Sequence, residues 1–213
     1  MNFDKLVGFL EKRTELPLPG TVAHQKMQPK MTNGLPLKLK HDQDPRKGGV
    51  LILFYQDAGK LRFPIIERTS YEGIHSNQMA LPGGRYEEQD EDQVTTAIRE
   101  AEEEVGVIAN EIEIIGCLSE FFVAASNYMV LPVLAKVDHK PNFISQPREV
   151  AEIVLPSVDD LINPDKLLEK EIVVKGGFKM NCPYFDLEGK VVWGATAMML
   201  SELVEILNEQ EFA

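Results

Sequence analysis

Apolar and polar positions alternate in blocks that set out the elements. Phe3, Leu6, Val7 and Leu10 recur at helical spacing and predict a short amphipathic helix over 3–12. Pro17, Pro19 and Gly20 end it. Residues 20–48 are polar and read as an arm that wraps the domain. Val50–Tyr55 is an unbroken apolar run, hence a buried strand. Asp57-Ala58-Gly59-Lys60 predicts a turn and Leu61–Glu67 the returning strand. A polar loop over Arg68–Ser76 leads to a short extended stretch, Gln78–Leu81, and then to Pro82-Gly83-Gly84.

A clean 3.6-residue period follows over 92–105. Ile112–Phe122 and Tyr128–Val137 are apolar enough for strands, and Pro141–Pro147 reads as a loop. A short strand is expected at Ile153–Leu155, helical turns within Asp159–Leu168 and a strand at Glu171–Lys175. Tyr184–Asp186 and Lys190–Trp193 form a hairpin about Glu188-Gly189, and Ala195–Asn208 is an amphipathic helix. Strands interrupted by helices in one unit predict an α/β sandwich with a mixed sheet. The expected division is residues 1–47 as N-terminal helix and arm, and 48–213 as the main domain.

Composition narrows the class. The 213 residues carry 34 acidic and 22 basic side chains, a net charge of −12. That argues against nucleic acid or an anionic membrane surface as the main partner. Phosphorylated small molecules stay open, because a bound cation reverses a local field. Cys117 and Cys182 stand far apart, so neither a disulfide framework nor a zinc spacing is predicted. No apolar run approaches the length of a membrane span, and Met1–Arg13 lacks the apolar core of a signal peptide. A cytoplasmic protein, with a homodimer possible, is the expectation.

The helix over 92–105 carries the chemistry. Val94, Ala97, Ile98, Ala101 and Val105 form one apolar stripe that must meet a core. Glu100, Glu103 and Glu104 gather on the far side, and Gly106 ends the helix as a C′ glycine. Nine acids stand against one arginine over 87–104. Glu100 and Glu104 are an i,i+4 like-charge pair, which is unfavourable. Clustered oxygen ligands suit Mg²⁺ or Mn²⁺, which would offset that repulsion. The bland alternative is a solvated acidic face.

Gly84 and the string Arg99-Glu100-Ala101-Glu102-Glu103-Glu104-Val105-Gly106-Val107 together resemble the signature of the Nudix hydrolases, Gly-x5-Glu-x7-Arg-Glu-U-x-Glu-Glu-x-Gly-U, with U apolar. Asp90 stands at the x5 position, but Glu91 keeps the x7 spacing to Arg99, so either acid fits the first role. The resemblance implies the Nudix α/β/α sandwich and a metal-dependent diphosphate hydrolase. It implies that Glu100, Glu103 and Glu104 bind Mg²⁺ or Mn²⁺, that Arg99 orients them, and that Gly83 and Gly84 shape the loop cradling the helix. One glutamate of the helix, or Glu149 or Glu152 from a later loop, would serve as base.

Upstream, Arg68-Thr69-Ser70 and His75-Ser76-Asn77-Gln78-Met79-Ala80-Leu81-Pro82-Gly83-Gly84 resemble the extra motif of the coenzyme A pyrophosphatases within that family, apart from Asn77 where the family has glycine. That likeness implies cleavage of coenzyme A or acyl-CoA to 3′,5′-ADP and 4′-phosphopantetheine, with Arg68, His75 and Gln78 toward the substrate. Two other readings stand beside it: an ADP-ribose or nucleotide-sugar diphosphatase, and a catalytically silent ligand sensor. Trp193 reads as core sooner than as a stacking platform.

Overall fold

The computed structural model describes residues 2–32, 41–69, 78–174 and 177–209. His75 and Lys175 lie outside the described residues. The chain opens with α1 (Phe3–Thr14), α2 (Thr21–Lys26) and β1 (Lys30–Met31). The long strand β2 (Arg46–Asp57) turns through Ala58 and Gly59, both at positive φ, into β3 (Lys60–Arg62). Then come β4 (Ile65–Arg68), β5 (Met79–Ala80), β6 (Gly83–Arg85) and α3 (Gln93–Val105). The second half holds β7 (Glu113–Cys117), β8 (Phe121–Val123), β9 (Tyr128–Lys136), β10 (Val150–Val154) and α4 (Val158–Ile162). It ends with β11 (Leu167–Val174), β12 (Phe178–Leu187), β13 (Lys190–Trp193) and α5 (Gly194–Leu207).

A mixed sheet is the centre. β2 runs parallel to β9 and antiparallel to β3 and β6, while β7 and β8 pair with β9. Strand alternation sends Leu51, Leu53 and Tyr55 to one face and Ile52 and Phe54 to the other. The first face meets the α3 stripe of Ala97, Ala101 and Val105. The second shares a core with α5 and with Leu6, Val7 and Leu10 of α1. Two helical layers therefore enclose the sheet, as a strand apolar on both faces requires. The N-terminal segment is also pinned by a polar clasp. Glu202 of α5, fully buried, accepts from Gly20 N at 2.7 Å, Ser119 Oγ at 2.7 Å and Ser119 N at 3.1 Å. His24 Nε2 lies 3.1 Å from the same carboxylate.

Several elements differ from their sequence expectation. The arm over 20–48 contains α2 and β1, and its last residues already belong to β2. Ile112–Phe122 is two strands, β7 and β8, because the chain turns away between Cys117 and Phe121. The helical turns of Asp159–Leu168 stop at Lys166, and Leu167 opens β11. β11 and β12 are each longer than the short strands expected there, since they pair with one another along their whole overlap. Among the described residues no helix is long and apolar enough to cross a membrane.

Candidate functional site

The site is built where the glycine loop meets the polar side of α3. Asp92 caps the helix, its Oδ1 accepting from Thr95 N at 2.8 Å. Gly106, at φ +73°, closes it in the left-handed conformation. Between these ends, the side opposite the apolar stripe is not left to solvent. β6 and Arg68 of β4 cover much of it.

The three glutamates consequently have different surroundings. Glu104 is buried, with 1 % of its side chain exposed. Its Oε2 accepts from Gly83 N at 2.8 Å, and its Oε1 lies 3.3 Å from Arg68 Nη1 without a hydrogen bond. The Glu100 side chain is 13 % exposed and accepts from Arg99 Nη1 at 2.9 Å. Its carboxyl packs on Gly84, where an added Cβ would stand 2.5 Å away. Only glycine leaves room for that carboxylate. Glu103 is 60 % exposed and touches Arg99 Nη1 at 3.5 Å.

Burial pushes the Glu104 carboxyl up to about 7, with Glu100 and Glu149 adding like charge and the Arg68 guanidinium and Gly83 N–H opposing. Burial raises the Glu100 carboxyl too, and the Arg99 guanidinium opposes it. Two desolvated carboxylates on one helix turn, one with an oxygen lacking a hydrogen-bond donor and both raised in spite of Arg99 and Arg68, form a site that favours a further positive charge. Among the described residues no three acid, histidine or cysteine side chains are already gathered as a cage. The oxygens that fit a divalent cation are Glu104 Oε1, which has an ion pair with Arg68 but no hydrogen bond, and the carboxylates of Glu100 and Glu103.

The structure separates Asp90 from Glu91. Asp90 is buried and takes a two-pronged bond from Arg99, Nε to Oδ1 at 2.8 Å and Nη2 to Oδ2 at 3.0 Å. Its Oδ2 also accepts from Thr96 Oγ1 at 2.8 Å and Glu87 N at 3.0 Å. Those donors, Arg99 first, hold the Asp90 carboxyl well below the usual carboxylate range. Arg99 Nη2 donates further to Arg85 O at 3.0 Å. Arg99 thereby ties the loop to the helix and turns Nη1 to Glu100 and Glu103. Glu91 is exposed.

The other expected residues divide. Arg68 does not stand free: besides its ion pair it donates through Nη2 to Gly83 O at 2.8 Å. Gln78 is half-buried beside it, its carbonyl accepting from Arg68 N at 3.1 Å. Glu149 is exposed at the head of β10, close enough to Glu100 and Glu104 to perturb both. Glu152 turns away, binding Lys190 Nζ at 2.6 Å, which also holds Glu67 at 2.8 Å. His75 is not among the described residues. Trp193 is half-buried and lines a cavity of about 450 Å³ with Met79, Ile172, Lys170, Lys190 and Glu67. Glu67 alternates with Arg68 along β4, so this cavity opens on the opposite face of that strand from Glu104. Thr96 and the Arg85 carbonyl, which complete the Asp90–Arg99 tie, carry no sequence signal beyond their place near the loop.

Comparison with known proteins agrees with this geometry. The family model described as NUDIX domain matches residues 45–174. The chain is similar to Nudix hydrolase 15, mitochondrial, of Arabidopsis thaliana, 34 % identical over 173 residues, covering 78 % of this chain and 60 % of that protein. It thus spans about three-fifths of that relative's length. It is similar also to peroxisomal coenzyme A diphosphatase NUDT7 of Mus musculus, 31 % identical over 171 residues, covering 77 % of this chain and 71 % of that one. Among solved structures, the Nudix hydrolase RenU from M. Smegmatis aligns with a TM-score of 0.55 at 15 % identity, covering 86 % of this chain and 96 % of its own. That likeness concerns the fold.

Proposed function

The chain belongs to the Nudix hydrolases, and on that footing we propose that it is a metal-dependent hydrolase cleaving the diphosphate of coenzyme A or acyl-CoA to 3′,5′-ADP and 4′-phosphopantetheine. The observation that carries the hydrolase reading is the glycine loop closed over two desolvated glutamates, Glu100 and Glu104, with Glu103 beside them. The coenzyme A reading is supported by the Arg68–Gly84 segment and by the similarity to a protein named as a coenzyme A diphosphatase.

Glu100, Glu103 and Glu104 would hold Mg²⁺ or Mn²⁺. Such an ion supplies charge neutralisation for the diphosphate and Lewis acidity toward water and phosphorus. The chain's own residues do the rest. Arg99, locked by Asp90, fixes the carboxylates of Glu100 and Glu103. Gly83 N–H orients Glu104, and Gly84 lets the loop backbone close over Glu100. Glu149, exposed and near enough to Glu100 and Glu104 to perturb both, would accept a proton from an attacking water. Arg68 and Gln78 border the same loop, and Arg68 would exchange its ion pair with Glu104 for a phosphate oxygen of a diphosphate bound there.

Incubation with coenzyme A, ADP-ribose and UDP-glucose in Mg²⁺, with products identified by mass, tests the substrate. The expected result is 3′,5′-ADP and 4′-phosphopantetheine. Intact coenzyme A under conditions where ADP-ribose is cut would overturn the choice.

A further inference from the structure

The protein is strongly acidic, yet a small patch beside the glycine loop has the opposite sign. Strand register places it. Arg46 of β2 lies across from Tyr128 of β9, and Gly48 of β2 lies across from Arg85 of β6. Directly opposed residues, and residues two apart on a strand, share a face. Arg46, Gly48, Tyr128 and Arg85 therefore share one face of the sheet. Gly84 alternates to the other face, where it meets Glu100 of α3.

The Arg46 guanidinium carbon lies over the Tyr128 ring, 4.3 Å from its centroid, and Nη2 donates to Ser126 O at 3.1 Å. Gly48, buried between Tyr128 and Arg85, lets the two strands close up there: an added Cβ would stand 3.6 Å from the tyrosine ring and 2.6 Å from Gly84 O. Arg85 is exposed, and among the described residues its guanidinium has no hydrogen bond or ion pair. Arg46 has no carboxylate partner among them either. A guanidinium plane backed by an aromatic ring is a stacking surface for a base, and a free arginine fork suits a phosphate.

We infer that this patch is the subsite for a phosphorylated purine nucleoside, the base stacking on Arg46 and Arg85 taking the phosphomonoester on the ribose. The inference rests on the coenzyme A reading, whose substrate carries 3′-phosphoadenosine on one side of the diphosphate. Reach supports it. Arg85 directly follows Gly84, so the patch begins about 4 Å of backbone from the loop over Glu100. A nucleoside joined to the diphosphate through its 5′ carbon spans that rim. The cavity at Trp193 is a poorer host for this end. Its two lysines are matched by Glu67 and Glu171, and Lys190 is already bound to Glu67 and Glu152.

Calorimetric titration of the protein in EDTA with 3′,5′-ADP and with 5′-AMP isolates the patch from turnover. Wild type binds 3′,5′-ADP roughly tenfold or more tighter than 5′-AMP. Arg85→Ala loses that preference and keeps its 5′-AMP affinity. Arg46→Ala weakens both nucleotides by roughly tenfold, and Arg46→Lys, which keeps the charge without the plane, weakens both as well. Unchanged melting curves certify the fold of each variant. Equal binding of the two nucleotides by wild type, or a preference retained in Arg85→Ala, overturns the inference. Cleavage of coenzyme A and 3′-dephospho-coenzyme A by the same proteins separates it from the reading beneath it. If wild type leaves coenzyme A intact, the coenzyme A reading falls and the titration still decides the patch. If coenzyme A is cut and Arg85→Ala keeps the wild-type ratio of kcat/KM for the two substrates, the patch falls and the coenzyme A reading stands.

Discussion

Replacing Glu104 by glutamine separates the cost of the site from its use. Glu104 is buried, and its carboxyl is raised from 4.5 to about 7, chiefly by burial. A carboxyl raised on folding binds its proton more tightly in the native state. Its contribution to stability is therefore held below about pH 4.5, declines as pH rises, and is fully lost above about pH 7. A shift of that size corresponds to about 3 kcal/mol. Glutamine keeps an acceptor for Gly83 N–H and removes the charge. Metal-free Glu104→Gln should therefore melt higher than metal-free wild type at pH 8, by roughly 5–10 °C for a chain of this length. At pH 4.5 the two curves should nearly coincide. The assay is thermal unfolding by circular dichroism in EDTA across that pH range. Added Mg²⁺ should stabilise wild type more than the variant, while hydrolysis by the variant falls steeply. A variant less stable than wild type at pH 8 without metal would refute the reasoning, because it would mean that Arg68 already satisfies the buried charge.

The Asp90–Arg99 tie predicts an asymmetry between neighbouring acids. Asp90→Ala strands a half-buried arginine and should cost about 3 kcal/mol in urea unfolding, with kcat reduced, whereas Glu91→Ala should leave both near wild type. Gly84→Ala places a methyl group against the Glu100 carboxylate and should lower kcat roughly 100-fold with little change in melting temperature. Each is checked by steady-state rates beside an unfolding curve.

Local pattern and tertiary contact contributed unequally to what the sequence disclosed. The run Val50–Tyr55 and the stripe of Ala97, Ala101 and Val105 were legible because burial on a strand or helix leaves a period. The turns at Ala58-Gly59 and Glu188-Gly189 were legible because both centres need positive φ. The arm was not, because α2 is held by Glu202 from the far end of the chain and has no strong period of its own. Periodicity placed Glu104 on a polar side, and only the fold lays β6 and Arg68 across it. Spacing left Asp90 and Glu91 equivalent, and the reach of Arg99 decides between them.

The central claim is that the glutamates of α3 hold the ion on which diphosphate cleavage depends. The initial rate of coenzyme A cleavage by Glu103→Gln, beside wild type in Mg²⁺ and in EDTA, tests it most directly. Glu103 is exposed, so its loss leaves the fold intact. The account predicts a fall of orders of magnitude in the variant and no cleavage by wild type in EDTA. Full activity in either case would contradict it.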